Sequence, residues 1–99
     1  MSYLVIRQAI IDRASVTASY ENYIRHFSPH IIGKHGNGVP IVVAFQYGGG
    51  KPGGLSPIGE WCQYLMPRLH YVRRNGDRWL HGLPQGKPME GLSEIDVAA

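Results

Sequence analysis

Arg25, His26, His30, Lys34, Arg68, Arg73, Arg74 and Arg78 supply cations or titratable rings. Interleaved with them are Tyr23, Tyr47, Tyr64, Tyr71 and Trp79. Cationic side chains follow phosphates, and ring faces accept stacked bases, so the set suits a single nucleic-acid strand or a nucleotide-like anion. Arg73, Arg74 and Arg78 flank the Asn75-Gly76 turn, where a solvated hairpin end accounts for their charge. Tyr20 and Tyr64 read as core residues.

Other chemistries find less support. His26 and His30 fall on one strand face, but four residues span about 13 Å along a strand, too far for one ion without a sharp bend at Pro29. With no Cys-x-x-Cys and no His-x-x-x-His on a helix, the sequence implies no metal and no cofactor. His35, His70 and His81 read as surface residues. Cys62 sits beside Trp61 in a predicted strand, where a lone cysteine packs. Gly48-Gly49-Gly50-Lys51 lacks P-loop order, because Pro52 follows the lysine and no helix comes next. No paired carboxylates stand out, so the expectation is a binding module and not an enzyme.

The chain that must position these groups has 99 residues, enough for one domain. A hydrophobic fraction of 43%, with 13 glycines and 7 prolines, fits a turn-rich globular protein. One cysteine allows no internal disulfide, which suits a reducing cytoplasm. No apolar run approaches the ~20 residues of a membrane span. All 10 Lys and Arg lie in residues 1–89 against four acids, a balance of +6, while residues 90–99 carry three acids and no base. The sequence therefore predicts a basic domain over residues 2–81 and a flexible acidic tail over residues 82–99 that could compete for an anion's place.

Residues 2–13 read as an amphipathic helix with Leu4, Val5, Ile6, Ala9, Ile10 and Ile11 on a broad apolar face. Strands follow at residues 16–20 and 23–32, joined by a tight turn at Glu21-Asn22. In the second, Tyr23, Arg25, Phe27 and Ile31 share one face, and Pro29 marks an edge, bend or bulge. Gly36-Asn37-Gly38 turns the chain into Ile41-Val42-Val43-Ala44-Phe45, a run that reads as a strand buried on both faces. Residues 48–59 fit either a functional loop or a flexible crossover. A strand resumes at Trp61 and passes into a single helical or 3₁₀ turn at Pro67. Asn75-Gly76 predicts a hairpin pairing Arg74 with Asp77 and Val72 with Trp79.

The order of these landmarks resembles the WYL-domain family, particularly its short standalone bacterial members. The likeness covers residues 4–79: a helix ending in Asp12-Arg13, a strand ending at Tyr20, Arg25 four residues before Pro29-His30, Gly33, the Gly36–Gly38 turn, Phe45-Gln46-Tyr47, the glycine loop, Trp61, and a strand from Tyr64 to Leu69. The name-giving Trp-Tyr-Leu tripeptide would fall at Pro40-Ile41-Val42, and the family's strand arginine at Leu65. The resemblance implies a mainly β fold with one N-terminal helix, a small SH3/Sm-like β-barrel of about five strands. It also implies a role in transcription regulation through a nucleic-acid or nucleotide ligand, with Arg25 and His30 as leading contacts. Arg68, Lys34, His26 and Tyr47 complete the expected site. The alternative is a protein-interaction or homo-oligomerising adaptor of the same fold.

Overall fold

A computed structural model describes residues 2–99. Its elements are a helix α1 (Ser2–Asp12), strands β1 (Val16–Tyr20), β2 (Tyr23–His35), β3 (Pro40–Gly49) and β4 (Glu60–Leu65), a 3₁₀ turn (Met66–Arg68), β5 (Leu69–Arg74) and β6 (Leu92–Ala98). The strands form one antiparallel sheet in the order β4-β3-β2-β1-β5, with β6 added to β2. The sheet is mainly β architecture with one N-terminal helix, but it is not closed: among the described residues no ladder joins β4 to β5. Six strands stand where about five were expected, because the tail contributes one.

Each expected turn has a local cause. Glu21 and Asn22 both take positive φ, 51° and 67°, as a two-residue hairpin turn between right-twisted strands requires. Asn37 Oδ1 accepts the Val39 N–H at 3.0 Å and closes the β2–β3 connection. Pro67 stops the β4 alternation and sits in the 3₁₀ turn at its permitted early position. At Asn75-Gly76 the Asp77 N–H reaches Asn75 Oδ1 at 2.8 Å, but no returning strand pairs with β5. The expected hairpin is therefore absent: Arg74 pairs with Asp12 at 2.8 Å and Asp77 accepts the Tyr47 hydroxyl at 2.7 Å.

The inner core gathers Ile6, Ala9 and Ile10 of α1 with Val16, Ala18, Phe27, Ile32, Val42, Ala44, Tyr64 and Leu69. The helix face is narrower than its sequence suggested, since Leu4 and Ile11 are 67% and 51% exposed. In β2 the register shifts between Pro29 and Ile31, so Ile32, and not Ile31, joins Phe27 in that core. The bulge inserts one residue and reverses the alternation beyond it.

The outer side of β3 is buried as well: Ile41 and Val43 are fully buried and Phe45 nearly so. Residues 78–91 cover that side. Trp61 Nε1 donates to the Leu83 carbonyl at 3.1 Å, and Gln63 Nε2 to the Pro88 and Glu90 carbonyls, both at 2.9 Å. A Cβ on Gly82 would meet Trp61 at 2.7 Å, so the chain crosses directly over the indole. Residues 92–98 then pair with β2 from Ile31 to His35. The flexible acidic tail expected over residues 82–99 is thus corrected: residues 92–98 are held by a backbone ladder, while most of their polar side chains are exposed.

Candidate functional site

Pro29 divides β2 into two stretches with different neighbours. Tyr23 to Phe27 pair with β1, whereas Ile31 to His35 pair with β6. Between them, Trp79 Nε1 donates to the Pro29 carbonyl at 3.0 Å and the Leu80 N–H to Ser28 Oγ at 2.9 Å. An edge that proline leaves without a ladder donor is filled by side-chain and loop partners.

His30 lies in that gap. Its Nε2 is 2.9 Å from the Leu80 carbonyl, and its ring stands 4.3 Å from Trp79 and 4.8 Å from Trp61. Burial holds its pKa below the ordinary imidazole value. It is a packing residue under the C-terminal segment and offers no surface to a ligand. His26 and Tyr47 lie together on the outer side: His26 Nδ1 is 2.8 Å from Thr17 Oγ1, and the Tyr47 hydroxyl donates to Asp77 and accepts from Asn75. Burial and the Asp77 contact push the Tyr47 phenol up. Lys34, nine residues beyond Arg25, sits in a hollow shared with Tyr3, Glu94 and Asp96. The expected gathering of Arg25, His30, Lys34 and Arg68 on one surface is therefore not what the structure shows. Arg25 and Arg68 come together; His30 and Lys34 stand apart.

Arg25 is the unusual member. It is 3% exposed, at the Tyr20-turn end of the inner face. Nε and Nη2 donate to the Tyr20 carbonyl at 3.2 and 3.1 Å, and Nη1 to Gln46 Oε1 at 3.2 Å. The rings of Tyr20, Tyr23 and Tyr64 surround the guanidinium with centroids 5.3, 5.6 and 5.8 Å away. Gln46 is itself fully buried, and its Nε2 donates to the Gly48 and Gly50 carbonyls. The Tyr64 hydroxyl also donates to Gln46 Oε1, at 2.7 Å. Burial pushes the Tyr64 phenol well above its ordinary value, so it stays a donor. One glutamine thus fixes both the arginine and the tyrosine.

Every hydrogen bond of this guanidinium goes to a neutral acceptor. Glu21 is the one carboxylate within ion-pair range among the described residues, at 3.9 Å, and its Oε2 also faces Arg68 at 3.8 Å. Arg25 lines a hollow of about 340 Å³ with Tyr20, Glu21, Lys51, Trp61 and Tyr64. Lys51 is held there by Glu60 at 2.7 Å, which keeps that carboxyl below its ordinary pKa. Cys62 also lines the hollow, but burial raises its thiol pKa, which argues against a reactive thiolate.

Sequence reasoning chose Arg25 and Arg68 but missed Glu21, Gln46, Lys51 and Trp61 as members of this site. Glu21 was legible only as a turn residue, although four residues across a two-residue turn bring it beside Arg25. Lys51 gives no sequence signal beyond its place after the Gly48–Gly50 run. No family model, no curated protein and no solved structure matches the chain.

Proposed function

We propose that the chain is a non-enzymatic binding module whose Arg25 hollow takes a nucleotide-like anion, free or at the end of a nucleic-acid strand. The observation that carries this reading is a buried guanidinium bonded to neutral acceptors alone, beside a concave space with a second cation. A buried charge without a hydrogen-bonded counter-ion is costly to keep unless something occupies its open side. Lys51, paired with Glu60, brings an ammonium to the same hollow. A hollow near 300 Å³ is at the lower bound of small-molecule sites.

The finer fold reading belongs here too. The path β1-β2-β3-β4, the 3₁₀ turn and β5 puts the sheet's two outer strands on either side of one short turn. We read this as a strongly coiled SH3/Sm-like barrel, in keeping with the WYL resemblance and a regulatory, cytoplasmic role. No helix among the described residues is long and apolar enough to cross a membrane.

Fluorescence anisotropy with a labelled nucleotide and a labelled short single strand tests the proposal. Binding is expected to weaken with salt and to fall about tenfold in Lys51→Ala. Unchanged binding in that variant would remove the hollow from the account. Arg25→Ala is a poor probe, because the side chain fills the core end among three tyrosines. A second reading, self-association, is favoured by the exposed Leu4 and Ile11, seven residues apart on α1 and so on one stripe. Light scattering that finds a concentration-independent monomer rejects it.

A further inference from the structure

We propose that Glu21 is a built-in stand-in for the ligand, and that a phosphate monoester takes its place between Arg25 and Arg68. This rests on the anion reading of the Arg25 hollow and names the chemical class that the hollow takes.

The carboxylate stands 3.9 Å from Arg25 Nη2 through Oε1 and 3.8 Å from Arg68 Nη2 through Oε2. Charge-assisted N–H···O bonds close to about 2.7–2.9 Å, so Glu21 neutralises two guanidiniums while hydrogen-bonding neither. One negative charge is divided between two positive ones. Its side chain is 44% exposed, so withdrawal into water needs only rotation of a flexible stem. The backbone beneath is held by the two positive-φ turn residues and by the β1–β2 ladder, so the turn itself can stay in place.

Glu21 also divides the surface. On one side lies the hollow of about 340 Å³ with Arg25, Lys51 and Trp61; on the other is one of about 280 Å³ with Ser19, Pro67, Arg68 and His70. Glu21 lines both, and withdrawal of its carboxylate joins them into a cleft flanked by both arginines. A monocarboxylate ligand would merely repeat the charge of Glu21. A phosphate monoester carries about −1.5 to −2 at neutral pH and three acceptor oxygens, which matches two guanidiniums with unused donors.

Calorimetric titration with AMP, adenosine and inorganic phosphate tests this on the wild type, Glu21→Gln and Arg68→Ala. Both substituted side chains are largely in water, and matching melting curves establish that the variants fold. AMP is expected to bind and adenosine not to. Glu21→Gln should tighten AMP about tenfold by removing the internal competitor, and Arg68→Ala should weaken it about tenfold. Equal or weaker AMP binding by Glu21→Gln, with the wild type binding, overturns the stand-in and leaves the anion reading intact. Absence of AMP and phosphate binding to the wild type and Glu21→Gln alike overturns both.

Discussion

The two stretches of β2 on either side of Pro29 are built by opposite means. Before the proline, β2 lies between β1 and β3, and its inward side chains Arg25 and Phe27 are fixed by the inner core. After it, β2 lies between β3 and β6, and Lys34 and His35 are exposed. The first stretch adds side-chain partners to its two ladders: Gln46 and the rings of Tyr20, Tyr23 and Tyr64 around one guanidinium. The second holds β6 through backbone, with five of its seven residues exposed. Side-chain packing specifies one arrangement, whereas a backbone ladder accepts many sequences. The difference shows where this protein can position a charge accurately enough to bind, and where it only closes an edge.

Four substitutions or titrations separate the two. The largest effect is expected from Gln46→Leu, which leaves a buried guanidinium and a buried phenol without their shared acceptor. Loss of about 3 kcal/mol in denaturant unfolding is expected, since hydrogen bonds to charged groups are worth about 1.5–3 kcal/mol. A loss below about 1 kcal/mol would mean that water replaces the amide freely. Gly33→Ala comes next. Its Cβ would overlap the Glu94 carbonyl, so β6 should leave the β2 edge at a cost of about 2 kcal/mol. Hydrogen exchange should show residues 92–98 unprotected with β1 to β4 intact; retained protection would contradict the close approach.

The pH dependence follows from His30. Burial depresses its folded pKa below the unfolded value of about 6.5, so its contribution is complete above that value and declines as pH falls towards the folded pKa. A charged ring between Trp61 and Trp79 should loosen residues 78–83 first, seen as a change in tryptophan fluorescence as pH falls below about 6.5. A His30→Phe variant should lose that change; its persistence would place the titration elsewhere. The smallest effect concerns Asp96, which accepts from the Tyr3 hydroxyl at 2.6 Å and pairs with Arg7 at 3.0 Å. Burial first, and this hydrogen bond second, push the Tyr3 phenol up to about 12. Asp96→Asn should return it part of the way towards 10 in an absorbance titration, with little change in melting.

Much of the sheet as far as β5 could be read from the residues. Glu21-Asn22, Gly36-Asn37-Gly38, Pro67 and the apolar run 41–45 mark turns, a stop and a doubly buried strand by local chemistry alone. The C-terminal cover could not be read in that way. Residues 78–99 contribute few buried side chains and bind through carbonyls and N–H groups, which every sequence possesses. The missed clue was upstream: a run buried on both faces needs two covers, and α1 supplies one. Among the site residues, types pointed to Arg25 and Arg68, but only tertiary packing shows that Arg25 is buried, that His30 is enclosed and that Lys34 faces Glu94 and Asp96. Pro29 signals an edge, bend or bulge, but spacing along the strand does not say which of these it is or that the alternation reverses beyond it.

The central claim, that the fixed charge of Arg25 is the anion's anchor, is tested most directly by ¹⁵N NMR titration of the wild-type protein with AMP. Saturable shifts of the Arg25 Nε–H and the Lys51 amide, with the amides of Lys34 and Ile95 unmoved, are the predicted result. Shifts confined to the Lys34 end, or none at Arg25 at saturating nucleotide, would contradict it.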